Sequence, residues 1–255
     1  MHIPDGYLGP QTFVPFFAAM VPLWSKASRT LKKTLKARHV PLFAMSAAFS
    51  FVVMMFNVPI PGGTTGHATG AAVIAILLGP WAAILSVSIA LIIQAFLFGD
   101  GGITALGVNC FNIAVVISAT AYFVYRIISV GAAPCSFRRV IAGGIGGYVG
   151  INLSALLTGL ELGIQPLIAH NAAGQPLYAP FPLTVAIPAM LIGHLFLFGV
   201  VEAVVTALII LYFQKTDPSM LSLVEATSVP QDLEGSPVES VSPQLELNAN
   251  DARPL

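Results

Sequence analysis

The sequence predicts an all-α integral membrane protein with about seven transmembrane helices. Of its 255 residues, 56% are hydrophobic and only 9% are charged, whereas a soluble domain carries about 25% charged residues. The apolar residues fall into long runs, which are separated by stretches rich in glycine and proline. So few charges cannot cover a soluble surface of this size, and lipid is expected to cover it instead. A net charge of zero gives no electrostatic reason to expect nucleic acid as a partner.

Seven apolar segments are long enough, or nearly so, to cross a bilayer, for which a helix needs about 20 residues. They are residues 8–24, 41–56, 68–78, 81–98, 105–129, 140–160 and 183–213. The short third segment ends at Gly79-Pro80, a helix-breaking pair. Glycines four residues apart predict close helix contacts, either within the chain or with a partner. Two such pairs lie on the sixth segment: Gly143 with Gly147, and Gly146 with Gly150.

The distribution of lysine and arginine predicts the topology, because short cytoplasmic loops are enriched in both. Six of the eleven basic residues follow the first segment: Lys26, Arg29, Lys32, Lys33, Lys36 and Arg38. That loop is therefore predicted to be cytoplasmic, with the N-terminus outside and the C-terminus inside. Seven crossings then place all eleven basic residues in the cytoplasm, whereas a re-entrant third segment would place five of them outside.

Two regions differ in kind. Residues 1–213 form the membrane-embedded unit, and residues 214–255 carry seven acidic residues, two basic residues and five prolines. This composition predicts a disordered acidic cytoplasmic tail. The N-terminus lacks the basic region and cleavage site of a signal peptide, so the mature chain is expected to begin at Met1 or His2. The bulky His2 is expected to protect Met1 from removal.

A histidine in second position predicts metal chelation. The α-amine of Met1, the backbone nitrogen of His2 and its imidazole stand in chelating order and leave one corner of a square open. His67, predicted on the same external face at the start of the third helix, is the candidate for that corner. The helix dipole there favours a neutral imidazole. Square-planar nitrogen coordination is typical of Ni(II) or Cu(II). Asp5 and Asp100 share this face, which has no basic side chain and so favours a cation.

Several polar residues leave alternatives open. Asp5 and Asp100 either form a cation funnel or hydrogen-bond the metal-binding loop. Asn109 and Asn112 lie near the outer end of the fifth segment, where bonds to the N-terminal segment are one expectation. His194 and Glu202 share a face of the seventh helix. They are candidates for a structural hydrogen bond, for guarding a route through the bundle, or for an intramembrane hydrolase. The last is disfavoured, because no serine motif or His-Glu-x-x-His accompanies them.

Four motifs resemble those of the CbiM/NikM family, the substrate-binding membrane components of energy-coupling factor (ECF) transporters for cobalt and nickel. They are MHIPDGYL (1–8), PIPGGTTGH (59–67), LLGPWA (77–82) and LFGDGGITALGVN (97–109), and the resemblance extends over residues 1–213. It implies that segment 1–7 folds back into the bundle. It also implies that the metal is held by the amine of Met1, the amide and imidazole of His2, and His67.

The resemblance further implies a transporter subunit of a prokaryotic cell membrane, and not an enzyme. Its cargo is Ni(II) or, as the alternative, Co(II) for cobalamin synthesis, and no organic cofactor is expected. The chain has no Gly-Lys phosphate loop, so the implied partners are a transmembrane coupling protein, cytoplasmic ABC-type ATPases and a small membrane subunit on a separate chain. A non-transport receptor or scaffold is the remote alternative. It would tolerate an extended or acetylated N-terminus, whereas the transport hypothesis predicts loss of metal binding.

Overall fold

The computed structural model describes residues 1–34 and 40–222. In these residues seven helices follow the seven predicted segments. They are α1 (Pro10–Thr34), α2 (Val40–Met54), α3 (Ala71–Leu78), α4 (Pro80–Phe98), α5 (Leu106–Ile128), α6 (Phe137–Ile168) and α7 (Leu183–Thr216). A hairpin between α2 and α3 pairs β1 (Val58–Pro59) with β2 (Thr65–Gly66) in antiparallel register. A 3-10 helix, Pro218–Ser222, follows α7.

The described helices are those of a multi-pass membrane protein. Helices α4, α5, α6 and α7 are long and apolar enough to span a bilayer, and α2 is a shorter apolar helix. Helix α3 has only eight residues, seven of them buried, and it packs against α4, α5, α6 and α7. A helix that is apolar on every side is stable when other helices surround it, so α3 forms part of the bundle's interior.

Helix α1 is longer than predicted. It continues to Thr34, so the first four basic residues of the predicted loop lie on the helix instead. Lysine and arginine are good helix formers, and Lys32 and Lys33 occupy the last turn, where the helix dipole favours cations. Pro15 and Pro22 lie inside α1 without ending it. The remaining basic residues of the predicted loop, Lys36 and Arg38, fall outside the described residues.

Two other predicted boundaries were wrong. Helix α7 continues to Thr216, so the tail does not begin at residue 214. Gln214 is largely buried, and its Nε2 donates to the carbonyl oxygens of Pro134 (3.1 Å) and Ser136 (3.0 Å), which fixes the end of α7. Residues 223–255 of the predicted tail lie outside the described residues. Helix α6 also continues past residue 160, so Glu161 is buried in the helix and is not in an external loop.

The predicted glycine pairs of α6 make contacts within the chain. Gly146 and Gly150 pack against α5, and a Cβ atom on Gly146 would lie 2.7 Å from the carbonyl oxygen of Ala121. Gly143 and Gly147 pack against α7 in the same way. The small residues therefore allow α6 to approach both neighbouring helices closely.

The two ends of the bundle differ in charge. Gly9 and Thr12 bond to Gln165, near the C-terminal end of α6, so the chain's N-terminus lies where α1, α5 and α7 begin. Basic residues mark the opposite end, in the last turns of α1, α5 and α7 and the first turn of α6: Lys32, Lys33, Arg126, Lys215, Arg138 and Arg139.

Candidate metal centre

The N-terminal segment is buried in the bundle. Met1, His2 and Ile3 are each no more than 2% exposed. The backbone N–H of Ile3 donates to Oδ1 of Asn109 (2.9 Å), and Nδ2 of Asn109 donates to the carbonyl oxygen of Ile3 (3.1 Å). Gly102 N–H donates to the same carbonyl oxygen (2.8 Å). One amide side chain thus pairs with both polar groups of Ile3, as a neighbouring strand would.

Asp5 fastens the segment to the loop between α4 and α5. Its carboxylate accepts hydrogen bonds from the backbone N–H groups of Ile103 (3.0 Å) and Thr104 (2.8 Å) and from the Thr104 hydroxyl. Burial raises the pKa of Asp5, but these bonds outweigh burial and hold the pKa below its usual value. A Cβ atom on Gly102 would lie 2.4 Å from the backbone nitrogen of Asp5, so only glycine permits this approach.

The hairpin holds the first two residues from the other side. The Met1 amine donates to the carbonyl oxygen of Thr65 and to its Oγ1 (3.1 Å). The backbone N–H of His2 donates to the same Oγ1 (3.2 Å), and the Thr64 hydroxyl donates to the carbonyl oxygen of His2. The Met1 amine and the backbone amide of His2 therefore lie directly beside Thr65 of β2. This threonine stands two positions before His67 in the sequence.

Two imidazoles meet at this point. The rings of His2 and His67 lie 4.5 Å apart between centroids, with their planes inclined by 21°. Nδ1 of His67 lies 3.0 Å from the carbonyl oxygen of Ala68, which can only accept, so Nδ1 carries the proton and Nε2 has a free lone pair. That Nε2 is buried without a hydrogen-bond partner, as are both ring nitrogens of His2. Buried polar atoms without partners are rare, and here they are clustered.

Asp100 is the charged neighbour of this cluster. Its Oδ1 lies 3.1 Å from Nδ1 of His2, close but not aligned as a hydrogen bond, and its Oδ2 accepts a bond from Asn57 (2.9 Å). Burial raises the pKa of Asp100, but the contact with His2 outweighs burial, so the pKa lies below its usual value. The site thus has a fixed negative charge beside neutral nitrogen donors.

Burial favours the unprotonated form of the nitrogen donors. It lowers the pKa of the Met1 amine well below 8.0, although Asp100 opposes the shift. Burial also lowers the pKa of His2, and it lowers that of His67 well below 6.5. Each shift favours the neutral form of the group, which presents the lone pair that a metal cation needs.

The cluster is reached through an open cleft of about 460 Å³. The N-terminal segment, the hairpin and the loop after α4 line this cleft, and His2 and Asp100 both border it. The cleft therefore leads from solvent to the side of His2, whose two ring nitrogens are themselves buried.

Some predicted residues lie elsewhere. Asn112 donates to Thr158 (3.2 Å) and to Glu161 (2.6 Å), and not to the N-terminal segment. His67 was expected at a helix start, but α3 begins four residues later, so the dipole argument does not apply and burial takes its place.

His194 and Glu202 share a face of α7 but do not pair with each other. Nδ1 of His194 lies 2.7 Å from the carbonyl oxygen of Met190, whereas the Glu202 carboxylate bonds to the N-terminus of α3. Sequence reasoning missed Thr64 and Thr65, whose position just before His67 in a glycine-rich loop was the available signal.

The fold defines a multi-pass helical membrane protein with a nitrogen-rich centre at one end of its bundle. A family model described as the cobalt uptake substrate-specific transmembrane region, CbiM, matches residues 2–220, and the chain belongs to this family. It is thus a metal transport component of the CbiM/NikM type, in a family whose members are not enzymes.

Similar proteins are named for both metals. The chain is 53% identical to the fused nickel transport protein NikMN of Rhodobacter capsulatus over 231 residues, which cover 91% of this chain and 67% of that one. It is 32% identical to the cobalt transport protein CbiM of Kyrpidia tusciae, over 91% of this chain and 90% of that one. A crystal structure of a transition metal transporter superposes with a TM-score of 0.81 at 53% identity, covering 85% of this chain and 94% of that one.

Proposed function

We propose that this chain is the substrate-binding membrane component of an ATP-driven importer of the ECF type, and that its cargo is Ni(II). The observation that carries the proposal is the burial of the N-terminal segment against the hairpin, which gathers the Met1 amine, the His2 amide and the imidazoles of His2 and His67. In residues 1–34 and 40–222, no three His, Cys, Asp or Glu side chains form a metal-holding group. The proposal accordingly draws on the Met1 amine and the backbone nitrogen of His2 as further donors.

The chelate chemistry fits this donor set. The amine, the backbone nitrogen and Nδ1 of His2 close small rings with one metal ion, and Nε2 of His67 supplies the fourth nitrogen. Two imidazoles on adjacent corners of a square, each about 2.0 Å from the metal, would have centroids about 4.4 Å apart. The observed separation of 4.5 Å between the ring centroids supports this arrangement. Square-planar nitrogen coordination favours Ni(II) among scarce biological metals.

Charge neutrality supports a divalent cargo. Binding displaces the amide proton of His2, which leaves one negative charge on the ligand set. Asp100, beside His2, supplies a second negative charge. The buried complex with a doubly charged metal ion then has no net charge, which avoids the cost of burying an unpaired charge.

Cobalt(II) is the second candidate cargo, favoured by the family description and by the name of the Kyrpidia tusciae relative. The higher identity to a protein named for nickel transport and the square of nitrogens favour nickel.

Topology and partners follow the same reasoning. Basic residues lie at the end of the bundle opposite the nitrogen cluster, so the positive-inside rule puts the cluster outside a prokaryotic cell membrane and the C-terminus in the cytoplasm. The chain spans about two thirds of the length of its fused nickel-transport relative, and it has no phosphate loop. As in the ECF transporters that the sequence resembles, a coupling membrane protein, cytoplasmic ATPases and a small membrane subunit complete the proposed transporter.

Metal titration of the purified protein in detergent tests the proposal. The wild type is expected to bind one equivalent of Ni(II) with the yellow absorption of a low-spin four-nitrogen complex. His2→Ala, His67→Ala and insertion of two leucines after Met1, which are bulky enough in second position to keep Met1 in place, should abolish that spectrum. Two are needed, because a single inserted residue would itself create an amine, two-amide and imidazole chelate.

His170→Ala is the matched control, because that histidine is exposed in a loop and should not matter. Cobalt bound in preference to nickel would keep the family role and overturn the choice of metal. If the wild type binds neither metal, or if all variants bind alike, the proposal is wrong and a receptor or scaffold becomes the better account.

A further inference from the structure

A carboxylate lies in the interior of the helical bundle, and within residues 1–34 and 40–222 no basic side chain forms an ion pair with it. Glu202 of α7 is 1% exposed. It accepts hydrogen bonds from the backbone N–H groups of Thr69 (2.7 Å), Gly70 (3.1 Å) and Ala72 (3.4 Å), and from the Thr69 hydroxyl (3.2 Å). These N–H groups belong to the start of α3, where helix geometry leaves donors unsatisfied. Ionisable residues inside a membrane are costly and are usually functional.

The capped residues lie next to His67. The hydroxyl of Thr69, two residues after His67, also accepts a bond from Ala71 (3.2 Å), which closes the turn between the histidine and α3. On the other side of His67, Gly66 packs so tightly on Phe198 that a Cβ atom would lie 2.0 Å from the ring. Phe198 stands four residues before Glu202 on α7. One helix therefore anchors the chain both before and after this histidine.

The ring of His67 has no comparable anchor of its own. Its one described hydrogen bond, from Nδ1, is to the adjacent carbonyl oxygen of Ala68 (3.0 Å). The direction of Nε2 therefore depends on the backbone of residues 66–70, which α7 holds. A metal ligand must be held within about 0.5 Å of its productive position.

We propose that Glu202 is a positioning residue for the metal site, which fixes His67 as the fourth nitrogen ligand without touching the metal. The inference rests on the proposed function, because it assumes that His67 binds the cargo. A positioning role and a general role in stability predict different results when His67 is absent.

A double-mutant cycle in nickel affinity separates the two roles. Glu202→Gln keeps the size of the side chain but removes its charge and one of its accepting oxygens. It should weaken Ni(II) binding about tenfold, as loss of a supporting partner of a metal ligand does. It should also move the low-spin absorption band to longer wavelength, because water replaces a loosely held imidazole. In the His67→Ala background the same substitution should change the dissociation constant less than twofold.

Glu161→Gln is the matched control: another buried carboxylate of the bundle, bonded to Asn112 and not to residues 66–72. It should leave the affinity and the spectrum unchanged. Thr69→Val removes one hydroxyl from the same turn and should weaken Ni(II) binding about threefold, again only when His67 is present. If Glu202→Gln does not fold, Thr69→Val replaces it in the double-mutant cycle.

The outcomes also separate this inference from the proposed function. If the wild type binds no nickel, or if His67→Ala binds as the wild type does, the proposed function fails first. Suppose instead that the wild type binds nickel and that His67→Ala loses affinity, as proposed. Glu202 is then not a positioning residue if Glu202→Gln binds as the wild type does, or if it weakens binding equally with and without His67.

Discussion

Replacement of Asn109 by leucine tests whether docking of the N-terminal segment creates the metal site. The side chain makes two hydrogen bonds to Ile3, of 2.9 and 3.1 Å. Leucine has a similar shape but satisfies neither group. The carbonyl oxygen of Ile3 keeps its bond from Gly102, whereas its N–H group is left buried without an acceptor. One such group costs about 1–3 kcal/mol.

This cost falls on the docked state only, because an undocked segment bonds to water. A loss of about 2 kcal/mol shifts the docking equilibrium roughly 30-fold towards the undocked segment, since about 1.4 kcal/mol is a factor of ten. The dissociation constant for Ni(II) rises by up to the same factor, as far as the metal-free segment becomes undocked. Isothermal titration in detergent measures the affinity, and hydrogen exchange of residues 1–7 reports docking directly. Both should change together.

Asn112→Leu is the control, because Asn112 lies one turn further along α5 and bonds to Thr158 and Glu161. It should lower the melting temperature without a selective effect on exchange in residues 1–7. The reasoning is refuted if hydrogen exchange of residues 1–7 in Asn109→Leu matches that of the wild type, or if both leucine variants weaken binding equally.

Three further predictions concern the same site. Lowering the pH from 8 to 5 should release the N-terminal segment, measured as faster hydrogen exchange. Burial lowers the pKa of the Met1 amine below 8.0 and those of His2 and His67 below 6.5. The undocked state therefore binds more protons, and it becomes more stable relative to the docked state as the pH falls. Unchanged hydrogen exchange would contradict this prediction. Gly102→Val should weaken nickel binding more than 100-fold, because its Cβ would lie 2.4 Å from the backbone nitrogen of Asp5. Wild-type affinity in a nickel titration would disprove the close approach of Gly102 to the N-terminal segment. Asp100→Asn should weaken binding about tenfold by leaving the complex positively charged, and the loss should be larger at low than at high ionic strength; an equal loss at both would assign Asp100 a role other than charge.

Most of the helices could be predicted because they contain long apolar runs, whose length is visible locally; the exception is α3, which has only eight residues. The ends could not. Helix α1 continues through its basic residues because lysine and arginine favour helix, and α7 continues because Gln214 finds acceptors at Pro134 and Ser136, far away in sequence. The composition of a segment does not reveal contacts with residues that are distant in the sequence.

The site was predicted in part, for reasons that differ between residues. Met1 and His2 could be singled out because their chelating order is covalent and needs no fold. Asn109 and Asn112 could not be told apart, since they lie three residues apart on one helix and only the docked geometry distinguishes them. Glu202 was noticed as an ionisable residue in a membrane helix, but its partners lie about 130 residues away, at Thr69, Gly70 and Ala72.

The most direct measurement of the central claim is nickel X-ray absorption spectroscopy on the Ni(II)-loaded wild-type protein. A coordination shell of four nitrogens in a square plane, with two imidazole rings in the outer-shell scattering, is the expected result. A shell of six oxygen and nitrogen ligands, or a single imidazole, would contradict the proposed joint binding by the Met1 amine, the His2 amide and the imidazoles of His2 and His67.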